Sequence, residues 1–317
     1  MKITLRSVVA SAFACAPLTA FACSSCGCTL TGDWDSQGFT AAPGLRLELR
    51  HDFLNQSQLR TGTGTVSRNA ISLPADREIE QGTINRYTTL AVDYSPNADW
   101  GVTLQLPYVD RSHSTVSPGD TDVSTSHSQS LGDARLIARY QGFTPQHQVG
   151  VQVGLKLATG AHDQQFDGGP QQGQALDRGL QAGSGSTDLL LGGFYVGNLA
   201  ASVDYFTQAM VQLPMHRLES YRPGRSLNLN LGVRYVGSQR LTPELQFNAR
   251  TVQRDTGDQA DTENSGGTLL YVAPGATFAF SDQLNLFGFV QIPLYQHFNG
   301  FQLAPRFIAS IGARYAF

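Results

Sequence analysis

Ser226-Leu227-Asn228-Leu229-Asn230-Leu231-Gly232-Val233-Arg234-Tyr235 alternates without a break. Leu227, Leu229, Leu231, Val233 and Tyr235 fall on one side of an extended chain; Asn228, Asn230, Gly232 and Arg234 fall on the other. A period of two is the signature of a strand, and faces this different place it between two different environments. Similar segments begin near Leu45, Ile84, Trp100, Gly132, Gln148, Thr187, Ala201, Pro243, Thr268, Gln283 and Ala304, which with Ser226 makes twelve. The links between them alternate as well. Short ones lie near 95–99, 144–146, 197–199, 237–241 and 281–282. Long ones rich in Gly, Ser, Asp and Gln run near 56–83, 112–131, 161–186, 214–224 and 255–267, with a shorter one near 296–302. This predicts an all-β protein, an antiparallel up-and-down transmembrane β-barrel of about twelve strands with short periplasmic turns and long extracellular loops. A secreted β-sandwich also uses short alternating strands, but it needs no such rhythm of loops. The final strand, Arg306 to Phe317, closes on an aromatic residue, resembling the assembly signal of bacterial outer-membrane proteins.

Composition agrees. Of 317 residues only 15% are charged, and 22 Lys and Arg against 25 Asp and Glu give no basic surplus for a nucleic-acid partner. No apolar run after residue 22 reaches the roughly 18 residues of a membrane-spanning helix, which excludes a helical membrane protein but not a barrel. Met1 to Ala22 carries Lys2 and Arg6, then an apolar stretch, then Ala20-Phe21-Ala22. That order of basic start, apolar core and small-x-small site predicts a signal peptide over 1–22. A Cys-rich periplasmic segment over 23–44 and the barrel over 45–317 would follow, with the bacterial outer membrane as the destination.

In a bilayer the apolar face meets lipid and the charged face lines the lumen. Parity then points Arg46, Glu48, Arg50, Asp93, Asp133, Arg135, Arg139, Lys156, Asp188, Asp204, Arg234, Glu244, Arg250, Arg306 and Arg314 inward, nine cations against six anions. Charge lining a pore biases it toward the opposite ion. Equally, long Arg side chains in a narrow barrel can pair with the acids and fill it. Phe206, Phe287 and Phe289 share the inward parity, as a partly apolar path or as filling. Tyr108, Tyr140, Tyr205, Tyr235, Tyr295 and Tyr315 sit near the ends of the lipid-facing series, where aromatic girdles are expected.

Several short motifs run through this pattern: Leu104-Gln105-Leu106-Pro107-Tyr108, Leu131-Gly132-Asp133-Ala134-Arg135, Gly154-Leu155-Lys156-Leu157-Ala158-Thr159-Gly160, Gly183-Ser184-Gly185-Ser186-Thr187-Asp188 and the closing Arg314-Tyr315-Ala316-Phe317. Together they resemble the bacterial outer-membrane family linked to the meta-pathway of phenol degradation, over roughly 84–317. The chain has Leu157-Ala158-Thr159-Gly160 where that family usually has an LPTG-like stretch. The resemblance implies an outer-membrane, transporter-like protein for small solutes, with aromatic or hydrophobic compounds as the implied cargo.

Cys23-Ser24-Ser25-Cys26-Gly27-Cys28 holds all the cysteines that remain once Cys15 leaves with the signal peptide. Three readings stay open. Two of the thiols can form a disulfide and leave one odd thiol for a partner. The three can wrap a soft metal ion such as copper or zinc. Cys23, as first mature residue, can be lipidated, although Ala20 stands where a lipobox prefers Leu. The alternative to a channel is therefore a non-conducting barrel whose periplasmic cysteines bind metal or dock a redox or metal-handling protein. Catalysis is not expected. Ser114, Ser124, Ser126 and Ser128 around His113 and His127, with Asp110, Asp120 and Asp122 close by, supply the ingredients of a nucleophile–base–acid set, but any polar loop does. No phosphate loop or dinucleotide fingerprint occurs.

Overall fold

In the computed structural model, which describes residues 42–317, Ser226–Tyr235 is a strand sorted by face. Asn230 and Gly232 are buried, whereas Leu229 and Leu231 are 46% and 50% exposed. The other strands are β1 (Gly44–Gly62), β2 (Gly64–Thr65), β3 (Ile79–Ser95), β4 (Trp100–Val116), β5 (Ser124–Leu131), β6 (Arg135–Tyr140), β7 (Val149–Lys156), β8 (Asp188–Ala200), β9 (Val203–Pro214), β11 (Leu241–Val252), β12 (Gly267–Ala279) and β13 (Leu284–Ala316), with Ser226–Tyr235 as β10. Neighbours pair antiparallel, and β13 also pairs with β1, which closes the sheet.

Two details give the number of spans. β5 and β6 both pair with β4, along 108–115 and 100–105, so they are one span interrupted at 132–134. β13 doubles back at Gly300, whose φ is +64°. Its first half lies along β12 and its second along β1, and Gln296 Nε2 donates to the Pro305 carbonyl at 3.1 Å between the halves. Without the two-residue β2, and with β5 and β6 as one, the thirteen strands make eleven ring elements. The doubled β13 makes twelve spans, as the alternation predicts.

Both ends of the barrel chain lie together, since Phe317 N donates to Leu45 O at 3.0 Å. The short turns at 96–99, 141–148, 201–202, 236–240 and 280–283 share that end, and the longer links at 63–78, 157–187, 215–225 and 253–266 share the other. The first is the periplasmic end and the second the extracellular end.

The solvation is that of a protein inverted for lipid. Leu49, Val153, Leu231, Leu294 and Ile311 are among many large apolar side chains exposed on the outside, while Arg46, Glu48, Arg50, Arg139, Lys156 and Arg314 are buried within. A closed barrel satisfies every strand's backbone and leaves the polar lumen as the place for charge. Aromatic residues cluster near the periplasmic turns: Trp100–Tyr140 and Tyr140–Phe143 at 4.7 and 4.9 Å between centroids, Tyr195–Tyr205 at 5.7 Å and Tyr315–Phe317 at 4.8 Å.

Two sequence expectations are corrected. The stretch 112–131 is not a long loop: β4 continues to Val116 and β5 begins at Ser124, which leaves only 117–123 as a turn. Outward residues of this hairpin, Ser112, Thr125, His127 and Gln129, are polar. Above the bilayer neither face needs to be apolar, so the hydropathy pattern fades while the hydrogen-bonded ladder goes on. The links at 56–83 and 296–302 shrink likewise, because β1 runs to Gly62, β3 begins at Ile79, and β13 turns at Gly300.

The inward phenylalanines pack over glycines of adjacent spans. Phe194 covers Gly150, Phe206 covers Gly232, Phe289 covers Gly275 and Phe287 covers Gly312. A Cβ at any of these glycines would run into the ring. These buried rings pack against the inner wall.

Candidate functional site

The lumen charges pair off along the periplasmic half. Arg46 reaches Asp93 at 2.9 Å, and Arg139 shares Asp93 at 3.5 Å and donates to Ser95 Oγ at 2.9 Å. Arg314 meets Glu48 at 3.3 Å and Arg234 meets Asp204 at 3.2 Å. Between them runs a ladder of amides: Asn230 Nδ2 donates to Gln208 Oε1 at 2.9 Å, and Gln208 Nε2 to Gln152 Oε1 at 2.7 Å. Gly192 on the intervening β8 has no side chain to block the second contact. Glu244 accepts from Thr277 Oγ1 at 3.1 Å.

Farther out the barrel opens into a cavity of about 230 Å³. Its walls are Arg50, Thr89, Gln105, Arg135, Lys156, Asp188, Gln212, Ser226 and Arg250 from the strands, with Pro107, Val109 and Tyr87 as apolar surface. Its roof is Arg178, Gly179, Gln181 and Ser184 from the link 157–187 and Tyr221, Pro223 and Gly224 from 215–225. The link 157–187 therefore folds over the lumen instead of standing away from it.

A knot of charges holds it there. Lys156 Nζ, at the end of β7, lies 2.7 Å from Asp133 and 3.3 Å from Asp188, donates to the Ser186 carbonyl at 2.9 Å, and touches Ser184 Oγ. Asp133, in the break between β5 and β6, accepts from Gly160 N at 3.1 Å and from Ser184 N and Oγ at 3.0 and 2.8 Å. Asp188 accepts from Ser186 Oγ at 2.7 Å and from Gln212 Nε2 at 2.5 Å. Gly160 and Gly183 bring their backbones so close that neither has room for a Cβ. Three of the motif segments quoted above, 131–135, 154–160 and 183–188, meet in this knot. Arg111 ties the middle of the link down, donating to the carbonyls of Gly179 at 3.3 Å and Gln181 at 3.4 Å.

Of the inward residues expected from parity, Arg50, Asp133, Arg135, Lys156 and Arg250 line this cavity, and Arg46, Glu48, Arg139, Arg234 and Arg314 lie nearer the periplasm. Arg306 departs from expectation. β1 and β13 slip register between Leu54–Ile308 and Gln56–Pro305, and this bulge carries one extra residue. Counting by twos from Arg314 therefore fails past Ile308, and Arg306 is exposed. The parity reading missed Arg111, which continues the inward series Gln105, Pro107, Val109.

His113 also turns inward, buried, with Nδ1 2.8 Å from Thr83 Oγ1. On the outer face of the hairpin, Ser112 Oγ lies 3.0 Å from His127 Nδ1, and Asp110 lies 3.9 Å from His127 Nε2. That distance is too long for a hydrogen bond. Asp110 instead accepts from Arg86 at 3.4 Å and Gln129 at 3.3 Å, so it does not orient the imidazole. Cys23, Cys26 and Cys28, with the copper, zinc or disulfide readings attached to them, lie outside the described residues.

No known family's sequence profile matches the chain, and no curated protein sequence matches it. Among solved structures it is similar to an outer membrane channel from Pseudomonas putida F1, with a TM-score of 0.61 and 14% identity over 91% of this chain and 100% of that one. It is also similar to the transport unit of the autotransporter AIDA-I from Escherichia coli, with a TM-score of 0.50 and 9% identity over 93% and 95%. The Ralstonia pickettii toluene transporter TbuX aligns at a TM-score of 0.48 and 12% identity over 95% and 99%. At such identities the likeness is one of fold. The protein is an outer-membrane β-barrel.

Proposed function

We propose that the protein is an outer-membrane channel for small solutes, with the link 157–187 forming its outer constriction. The observation that carries this reading is the cavity of about 230 Å³ inside the barrel, bounded by polar side chains from opposite walls. A barrel serving only as a scaffold has no need for such a space, and fully paired Arg and Asp side chains would close it. Tyr87, Tyr221, Pro107 and Val109 give the cavity apolar surface, which suits solutes with a compact hydrophobic or aromatic body. A role in phenol degradation is the narrowest form of the proposal. The test is single-channel recording of the refolded mature chain in planar bilayers. Discrete current steps are expected; silent membranes containing protein shown to be folded would overturn the channel and turn attention to the N-terminal cysteines.

A further inference from the structure

Two cations at the cavity, Arg111 and Arg250, differ from Arg50, Lys156 and Arg178. Arg50 is held by Asp52 at 2.9 Å, Lys156 by Asp133 and Asp188, and Arg178 by Glu219. Among the described residues Arg111 has only neutral hydrogen-bond partners: Asn85 Oδ1, the Tyr87 hydroxyl at 2.8 Å, and the two backbone carbonyls of the roof. Arg250 donates to Asn228 Oδ1 at 2.9 Å, and its buried Nε meets no acceptor among the described residues. Both residues are 8% exposed. The buried Ser226 Oγ, on the same cavity, is also without a partner among the described residues.

A guanidinium keeps its charge at any ordinary pH, and buried ions are normally matched by a counter-ion because burial alone is costly. β11, which carries Arg250, lies six steps from β4, which carries Arg111, in either direction round the twelve-span ring. The two charges therefore reach the cavity from opposite walls. An engineered cavity of roughly 150 Å³ takes benzene; about 230 Å³ leaves room for one ring and an acid group.

We propose that this cavity is a binding site for a small organic monoanion, a carboxylate or sulfonate with a compact or single-ring body. Its charged head is drawn between Arg111 and Arg250, and its body rests on Tyr87, Pro107 and Val109. The proposal deepens the channel reading and rests on it only for the passage of the bound anion, not for the binding.

The experiment compares benzoate with its neutral analogue benzamide by titration calorimetry on the refolded mature chain in detergent, with conductance recorded on the same preparation. Benzoate is expected to bind at least about tenfold more tightly, the scale of one charge-assisted hydrogen bond. Arg250→Gln is expected to remove most of that preference. Arg111→Gln should do the same, and Arg111→Lys, which keeps the charge, should retain more of it; because Arg111 also holds the roof, Arg250→Gln is the variant that decides. No benzoate binding, equal affinities, or a preference untouched by Arg250→Gln would overturn the site. Conductance without benzoate preference would leave the channel and remove the site. Benzoate binding in a silent barrel would do the reverse.

Discussion

Lys156→Met tests what keeps the extracellular link folded over the lumen. The substitution keeps the length of the side chain and removes the one charge shared by Asp133 and Asp188, which are 9% and 0% exposed. Taking one partner from a buried ion pair costs about 3–5 kcal/mol, because the remaining charge is left without compensation. The low end of that range applies here. Asp133 would keep its hydrogen bonds from Gly160 and Ser184, and Asp188 those from Ser186 and Gln212. The cost falls where structure is cheapest to give up. β7 is bound into the sheet by both neighbours, whereas Ser184 and Ser186 belong to the link and can leave with it. A loss of about 3 kcal/mol moves the balance between seated and released link by roughly two orders of magnitude. Trypsin reads this directly, since Arg178 lies in the middle of the link with its side chain only 10% exposed. Cleavage after Arg178 should be slow in the native chain and fast in Lys156→Met, with larger or more frequent current steps and a barrel that still needs heat to unfold. Adding Asp133→Asn and Asp188→Asn should restore much of the protection, because the uncompensated charges are then gone. If Lys156→Met were cleaved no faster than the native chain and conducted identically, the charge knot would not be what seats the link.

The packing and the extracellular rim yield two further tests. Gly232→Ala drives a methyl into the Phe206 ring and should cost about 1–3 kcal/mol, read as a lower urea midpoint, whereas Gly193→Ala, whose new Cβ would find its nearest neighbour at 3.7 Å, should leave the midpoint unchanged. Asp177, in the link 157–187, has its carboxyl held above the usual range by burial and by the charges of Glu78, Asp261 and Glu80. A carboxyl whose folded pKa exceeds its unfolded value loses stability as pH rises between the two. Protection of the links 157–187 and 253–266 against hydrogen exchange, corrected for the intrinsic rate at each pH, should therefore differ with pH, falling as the pH rises above the usual carboxylate range. Asp177→Asn should flatten that difference, and protection that instead increased with pH would contradict the assignment.

The barrel was legible because lipid and lumen impose opposite demands on alternate residues, and ten residues such as Ser226–Tyr235 are enough to record both. The same rule explains where reading stopped. Beyond the bilayer both faces of a hairpin are wet, so Ser124–Leu131 carries no alternation of hydropathy, and a strand there reads as a loop. Arg111 was missed although it precedes the expected link 112–131 and Gln105, Pro107 and Val109 already set its parity. A bulge breaks parity without changing composition; at 305–307 the signal that remained was Pro305, a residue that strand interiors place at edges and irregularities. The knot shows a different limit. Asp133, Lys156 and Asp188 each read as inward from their own strands, yet nothing in alternation says that they converge, because convergence depends on how a 31-residue link at 157–187 folds. The one trace of it lay in the Gly- and Ser-rich motifs, which looked like turn chemistry. Gly160 and Gly183 are small because two backbones touch there, and Ser184 and Ser186 are polar because Asp133, Lys156 and Asp188 need hydrogen bonds once water is excluded. In this barrel three of the five motifs that resemble a family, 131–135, 154–160 and 183–188, meet where the link is seated over the lumen, and their small and polar residues serve that seating.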